Sequence, residues 1–179
     1  MDELHRYAAQ YDPGRPEAEY LRSIEGKTAS LFSAASRIGG IVAGLPRPQI
    51  DALTEFGLAY GMVFQVVDDI LDLTATEAQL GKPAGHDMVE GVYTLPVLRT
   101  LAHGGAASGE LADLLGSPLE GVALDKALAL VRAGDGLAEA RAVARTFADR
   151  GAAALAPLPE TPATLALGQA GYALLDTLG

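Results

Sequence analysis

Between Ile50 and Thr74, the residues Leu53, Phe56, Tyr60, Val63, Val67 and Ile70 recur at alternating steps of three and four, which predicts one long helix with a buried seam. A helix of that kind needs other helices to cover it, so the chain should form a bundle. Composition agrees: alanine and leucine dominate, aromatic residues are only 6%, and no segment calls for a strand, so an all-α fold is expected. With 179 residues, 49% of them hydrophobic and 20% charged, the chain is long enough for a single domain, residues 1–179, with a sizeable core, and too apolar to stay disordered.

A preceding helix is predicted from Tyr20 to about Gly44, with Leu21, Ile24, Thr28, Leu31, Ala35, Ile38 and Val42 on one apolar face and Lys27 at its margin. Gly81 to Gly91 reads as a loop, and Thr94-Leu95-Pro96 opens a short helix closed by Gly104-Gly105. Ser117-Pro118-Leu119-Glu120 has the pattern of a capping box for a helix ending near Gly134. A helix over Leu137–Leu155, a break at Pro157, Pro159 and Pro162, and a last helix toward Leu178 complete the chain.

Charge and residue usage remove several classes of function. Thirteen Lys and Arg against 23 Asp and Glu leave a formal charge of −10 with no basic run, so no nucleic-acid partner is expected. The absence of cysteine removes disulfides, thiolate metal sites and a cysteine nucleophile. Met1-Asp2-Glu3-Leu4-His5 lacks the apolar run of a secretory signal, which points to a cytoplasmic location. The greasiest stretch, Ala34 to Leu45, is too short to span a bilayer, so no transmembrane segment is expected.

The chemistry concentrates in Phe64-Gln65-Val66-Val67-Asp68-Asp69-Ile70-Leu71-Asp72, where three acids interrupt the most apolar helix. At 100° per residue, Gln65, Asp68 and Asp72 fall near one another around the helix, with Asp69 beside them. Carboxylates gathered in apolar surroundings repel one another unless a cation neutralises them, and a hard divalent ion such as Mg²⁺ suits them. The plainer alternative is a solvated acidic helix face. Steps of four backward from Gln65 reach Gly61 and Gly57, so the same stripe lacks side chains at its other end and could line a cavity. Lys27-Thr28 and the glycine-rich Gly81-Lys82-Pro83-Ala84-Gly85-His86-Asp87 each offer a cation for a phosphate, although a lysine at a helix margin also snorkels and a glycine loop also simply turns the chain.

These blocks resemble the trans-isoprenyl diphosphate synthases, or polyprenyl synthetases. Lys27-Thr28-Ala29-Ser30-Leu31-Phe32 is similar to that family's KTA-x-LF segment, Phe64-Gln65-x-x-Asp68-Asp69-x-x-Asp72 to its FQ and second aspartate-rich motif, and Gly81-Lys82-Pro83-x-Gly85-x-Asp87 to its GKxxGxD loop. The resemblance implies the C-terminal portion of an isoprenoid-synthase-type helical bundle and a Mg²⁺-dependent, head-to-tail condensation of an allylic diphosphate with isopentenyl diphosphate. It further implies metal binding by Asp68, Asp69 and Asp72, diphosphate binding by Lys27 and Lys82, and a role for Thr28 and Gln65 beside the allylic cation and the departing proton. The first aspartate-rich motif of such enzymes has no counterpart here. The chain is therefore expected to be incomplete alone and to associate, as a homo- or hetero-oligomer, through helix faces. A catalytically silent regulatory or structural subunit is the alternative. A terpene cyclase fits less well, since such enzymes carry an Asn/Ser/Glu motif in place of Asp68-Asp69-x-x-Asp72.

Overall fold

A computed structural model describes residues 10–74 and 84–179. Every regular element among them is helical. In chain order they are α1 (Glu17–Ile24), a π-helical turn (Glu25–Ala29), α2 (Ser30–Val42), α3 (Arg47–Thr74), α4 (His86–Val89), α5 (Leu95–Ala102), α6 (Gly105–Leu114), α7 (Val122–Ala133), α8 (Gly136–Ala154) and α9 (Pro162–Asp176). Two compact units separate among the described residues, one built from residues 10–20 and 68–140, the other from Leu21–Val67 and Arg141–Gly179.

The long helix α3 begins at Arg47, earlier than the apolar seam alone indicates, because Pro48 in a first turn gives up an N–H that has no intrahelical partner. Its centre is deeply covered: Met62, Val63, Val66 and Val67 are at most 3% exposed, and each buried side chain of this size contributes roughly 1.5–3 kcal/mol. By length and composition α3, and not the Ala34–Leu45 stretch, is the one described helix apolar enough to cross a membrane, and half of its most apolar stretch is buried within the protein.

In the second unit, the helix predicted from Tyr20 is interrupted. The turn over Glu25–Ala29 is wound with i→i+5 spacing, which inserts one residue and rotates everything after it by roughly 100° relative to α1. The apolar face expected for α2 is therefore turned outward, with Leu31 68%, Ile38 59% and Val42 81% exposed. The covered side runs instead through Ala29, Phe32, Ser33, Ser36 and Gly40. α8 and α9 lie together in the same unit, where a Cβ on Gly171 would sit 3.1 Å from the Ala148 side chain. α9 is closed at its start by a reciprocal box between Thr161 and Thr164, followed by Pro162.

The first unit corrects three readings of the sequence. The Gly81–Gly91 stretch contains the helical turn α4, which starts after Gly85 in the left-handed region, φ 78°. Gly104 and Gly105 do end α5, but α6 follows at once, because both glycines take positive φ (68° and 83°) and redirect the chain into a new helix. The Ser117–Glu120 box is not used: α7 starts at Val122 with Gly121 before it and no side-chain cap, while Leu119 is 2% exposed. Burial of that leucine outweighs a local cap of about 1 kcal/mol. Arg99 on α5 bonds Glu17 of α1 at 2.7 Å and faces Glu139 of α8 at 3.7 Å. Gly136 permits the approach of α8 to α5, since a Cβ there would stand 2.4 Å from the Pro96 carbonyl oxygen.

Candidate functional site

α3 passes through both units and carries acids at its C-terminal end and glycines nearer its middle. In the second unit the glycine stripe does not line a cavity, as its lack of side chains suggested. Gly57 and Gly61 are buried against the neighbouring helical turns, where a Cβ would lie 2.5 Å from the Phe32 carbonyl oxygen and 2.5 Å from Ala29 Cα respectively. Removing those side chains lets two backbones meet, and the next residue in the stripe inherits the proximity. Gln65 thereby reaches the π-helical turn, and Thr28 Oγ1 donates to Gln65 Oε1 at 2.7 Å. Two residues singled out from the sequence are thus brought into direct contact. Lys27, beside Thr28 in the same turn, is exposed. A π-turn at this point is informative in itself, because such irregular turns collect at functional sites.

The three acids of the first unit have different surroundings. Asp68 is exposed, whereas Asp69 is 3% and Asp72 5% exposed. Asp69 Oδ2 accepts a 2.5 Å hydrogen bond from the Tyr20 hydroxyl, and Tyr20 is itself 2% exposed. Burial, and then the charge of Asp69, hold that phenol well above the ordinary tyrosine range, so the hydroxyl is a firm donor. Asp72 Oδ2 accepts from the Asp87 backbone N–H at 3.2 Å, and the Asp72 carbonyl accepts from Gly85 N–H at 2.7 Å. The Gly85 bond closes the end of α3, with Gly85 in the conformation that glycine favours, φ 78°. From α7, Arg132 Nε donates to the Leu73 carbonyl at 2.7 Å, placing a cation at the negative end of the acid-bearing helix.

Lys82 lies outside the described residues. Among the described residues, no three His, Asp or Glu side chains gather closely enough to hold a metal ion. The oxygen donors of Asp68 and Asp72 nonetheless suit a hard cation that keeps part of its shell for water and phosphate oxygens. Two residues were missed from sequence. Tyr20 reads there as one more apolar residue near a helix start. The signal available was Asp69 itself, since a buried carboxylate needs a donor. Arg132 gave no signal, because only the fold brings the end of α7 to the end of α3.

The polyprenyl synthetase family pattern matches residues 1–130. The nonaprenyl diphosphate synthase of Mycobacterium tuberculosis is 38% identical over 150 residues, covering 83% of this chain and 45% of that protein. Heptaprenyl diphosphate synthase component 2 of Geobacillus stearothermophilus is 47% identical over 100 residues, 56% of this chain and 31% of that protein. A crystal structure of polyprenyl synthase from Caulobacter crescentus, complexed with calcium and isoprenyl diphosphate, superposes with a TM-score of 0.89 at 32% identity, covering 97% of this chain and 53% of that one. The chain belongs to the polyprenyl synthetase family and has its all-α fold. It spans about half the length of the curated relatives it matches.

Proposed function

We propose that this chain supplies the second aspartate-rich motif of a trans-prenyl diphosphate synthase, which joins an allylic diphosphate head-to-tail with isopentenyl diphosphate and takes Mg²⁺ as its cofactor. The supporting observation is the pair of hydrogen bonds from Gly85 and Asp87 to Asp72, which tie the acid motif to the loop that follows it. Asp68 and Asp72 would hold Mg²⁺, with Asp69 in the same network. Bound there, the ion would neutralise charge growing on the departing diphosphate.

The remaining roles follow from side-chain chemistry. Lys27 projects a cation from an exposed turn, and Lys82 supplies a second; both suit the diphosphate leaving group. Thr28 gives its proton to Gln65, which leaves hydroxyl lone pairs to steady an electron-poor carbon and to accept a proton. Charge on the leaving group grows toward the transition state, so fixed cations lower the barrier more than they tighten substrate binding.

The test supplies the upstream half of the Mycobacterium tuberculosis relative by co-expression and follows incorporation of labelled isopentenyl diphosphate into an allylic acceptor. Turnover should appear only with both pieces and Mg²⁺, should vanish with EDTA, and should fall at least about a hundredfold in Asp68→Ala. No turnover from the paired pieces would sink the proposal. The second reading, a silent subunit that assembles through exposed helix faces, draws on the outward apolar side of α2 and on a relative named as one component of an enzyme. It predicts that Asp68→Ala leaves a partner's activity intact.

A further inference from the structure

We propose that Tyr20 is a positioning residue for the aspartate-rich segment: its hydroxyl locks Asp69 as the anchor of that segment, leaving Asp68 presented to the cation. This inference rests on the function proposed above. Its physical basis is the contrast between adjacent acids. Asp68 and Asp69 point about 100° apart on the same helix, so the bond that holds one sets the direction of the other. Asp69 Oδ2 is engaged at 2.5 Å by a donor buried to 2% exposure, on a different helix, and Asp69 is itself 3% exposed. Asp68 is exposed. A carboxylate packed against a phenol must lose that bond and its packing to meet a cation; one already at the surface loses neither.

Neighbouring contacts make Tyr20 a fixed point. Its ring lies 6.0 Å beneath the guanidinium of Arg15, which also faces Glu19 at 4.0 Å.

Two measurements decide the matter. In urea unfolding of the full chain, Tyr20→Phe and Asp69→Ala should each lower the midpoint, while the double variant should lie no lower than Asp69→Ala alone; additive losses would show the two side chains uncoupled and overturn the anchor. This arm needs no catalysis, so it is informative even if the proposed function fails. In the enzyme paired with its upstream half, Tyr20→Phe should raise the Mg²⁺ concentration for half-maximal rate roughly tenfold, with the rate at saturating Mg²⁺ largely kept. Asp69→Asn, which retains an oxygen acceptor for the tyrosine, should shift that concentration less than Tyr20→Phe does. The reverse order would make Asp69 a cation ligand and overturn the proposal, as would a Tyr20→Phe enzyme whose Mg²⁺ requirement is unchanged.

Discussion

Tyr93 is 1% exposed, and its hydroxyl accepts the Gly116 N–H at 2.8 Å. Burial raises its pKa above the ordinary 10.0. The unfolded chain releases this proton at about pH 10 and the folded chain only at higher pH, so stability is full below pH 10 and declines as pH rises through the folded value. Tyr93→Phe should flatten that alkaline decline in a pH series of urea midpoints, and should lose about 0.5–1.5 kcal/mol at neutral pH, the net value of its bond from the exposed Gly116 N–H. Thr28→Val should cost about 0.5–1.5 kcal/mol in the same assay, the net value of one hydrogen bond. At this scale the sequence exposes which residues are candidates for chemistry and conceals whom they touch. Thr28, Gln65 and the three acids stand out by type and spacing, but a helical pattern says which faces are apolar and not which faces meet. Tyr20 stayed hidden for that reason.

At the scale of elements, glycines divide into two kinds, and substitution separates them. Gly61→Ala would place a methyl group 2.5 Å from Ala29 Cα, so α3 must move off the π-helical turn, with an expected loss of about 1–3 kcal/mol and of the Thr28–Gln65 bond. Gly39, inside α2, has nothing within 4 Å of a built Cβ, and Gly39→Ala should gain roughly 0.5–1 kcal/mol through chain entropy and helix propensity. Thermal unfolding of the two variants, shifting in opposite directions, checks both. Helix existence was legible because long apolar periodicity is written along the chain: α3, α5, α8 and α9 fall within a few residues of their expected bounds. The π-helical turn was not, because Glu25-Gly26-Lys27-Thr28-Ala29 has the composition of an ordinary helix. Its consequence, the rotation of α2, turned the predicted apolar face outward.

Across the whole molecule, the outward-facing Leu31, Ile38, Ile41 and Val42 form an apolar strip on one helix. Strips of this kind promote association, so sedimentation of the chain should depend on concentration, and Ile38→Lys should move the distribution toward lighter species without lowering helix content. The family was legible at this scale because several short motifs occur in order along one chain. The division into two compact units was not legible, since both draw on distant stretches of sequence and share α3.

The π-helical turn has a genetic consequence. Loss of the single codon for Gly26, an exposed glycine with nothing within 4 Å of where a Cβ would stand, would allow Glu25–Ala29 to rewind as ordinary α-helix. The lost residue would cancel the one that the turn inserts, so Leu31 to Val42 would keep the facing they have now. One three-base deletion in a surface turn would thus erase an irregularity of the backbone while the helix beyond it points as before.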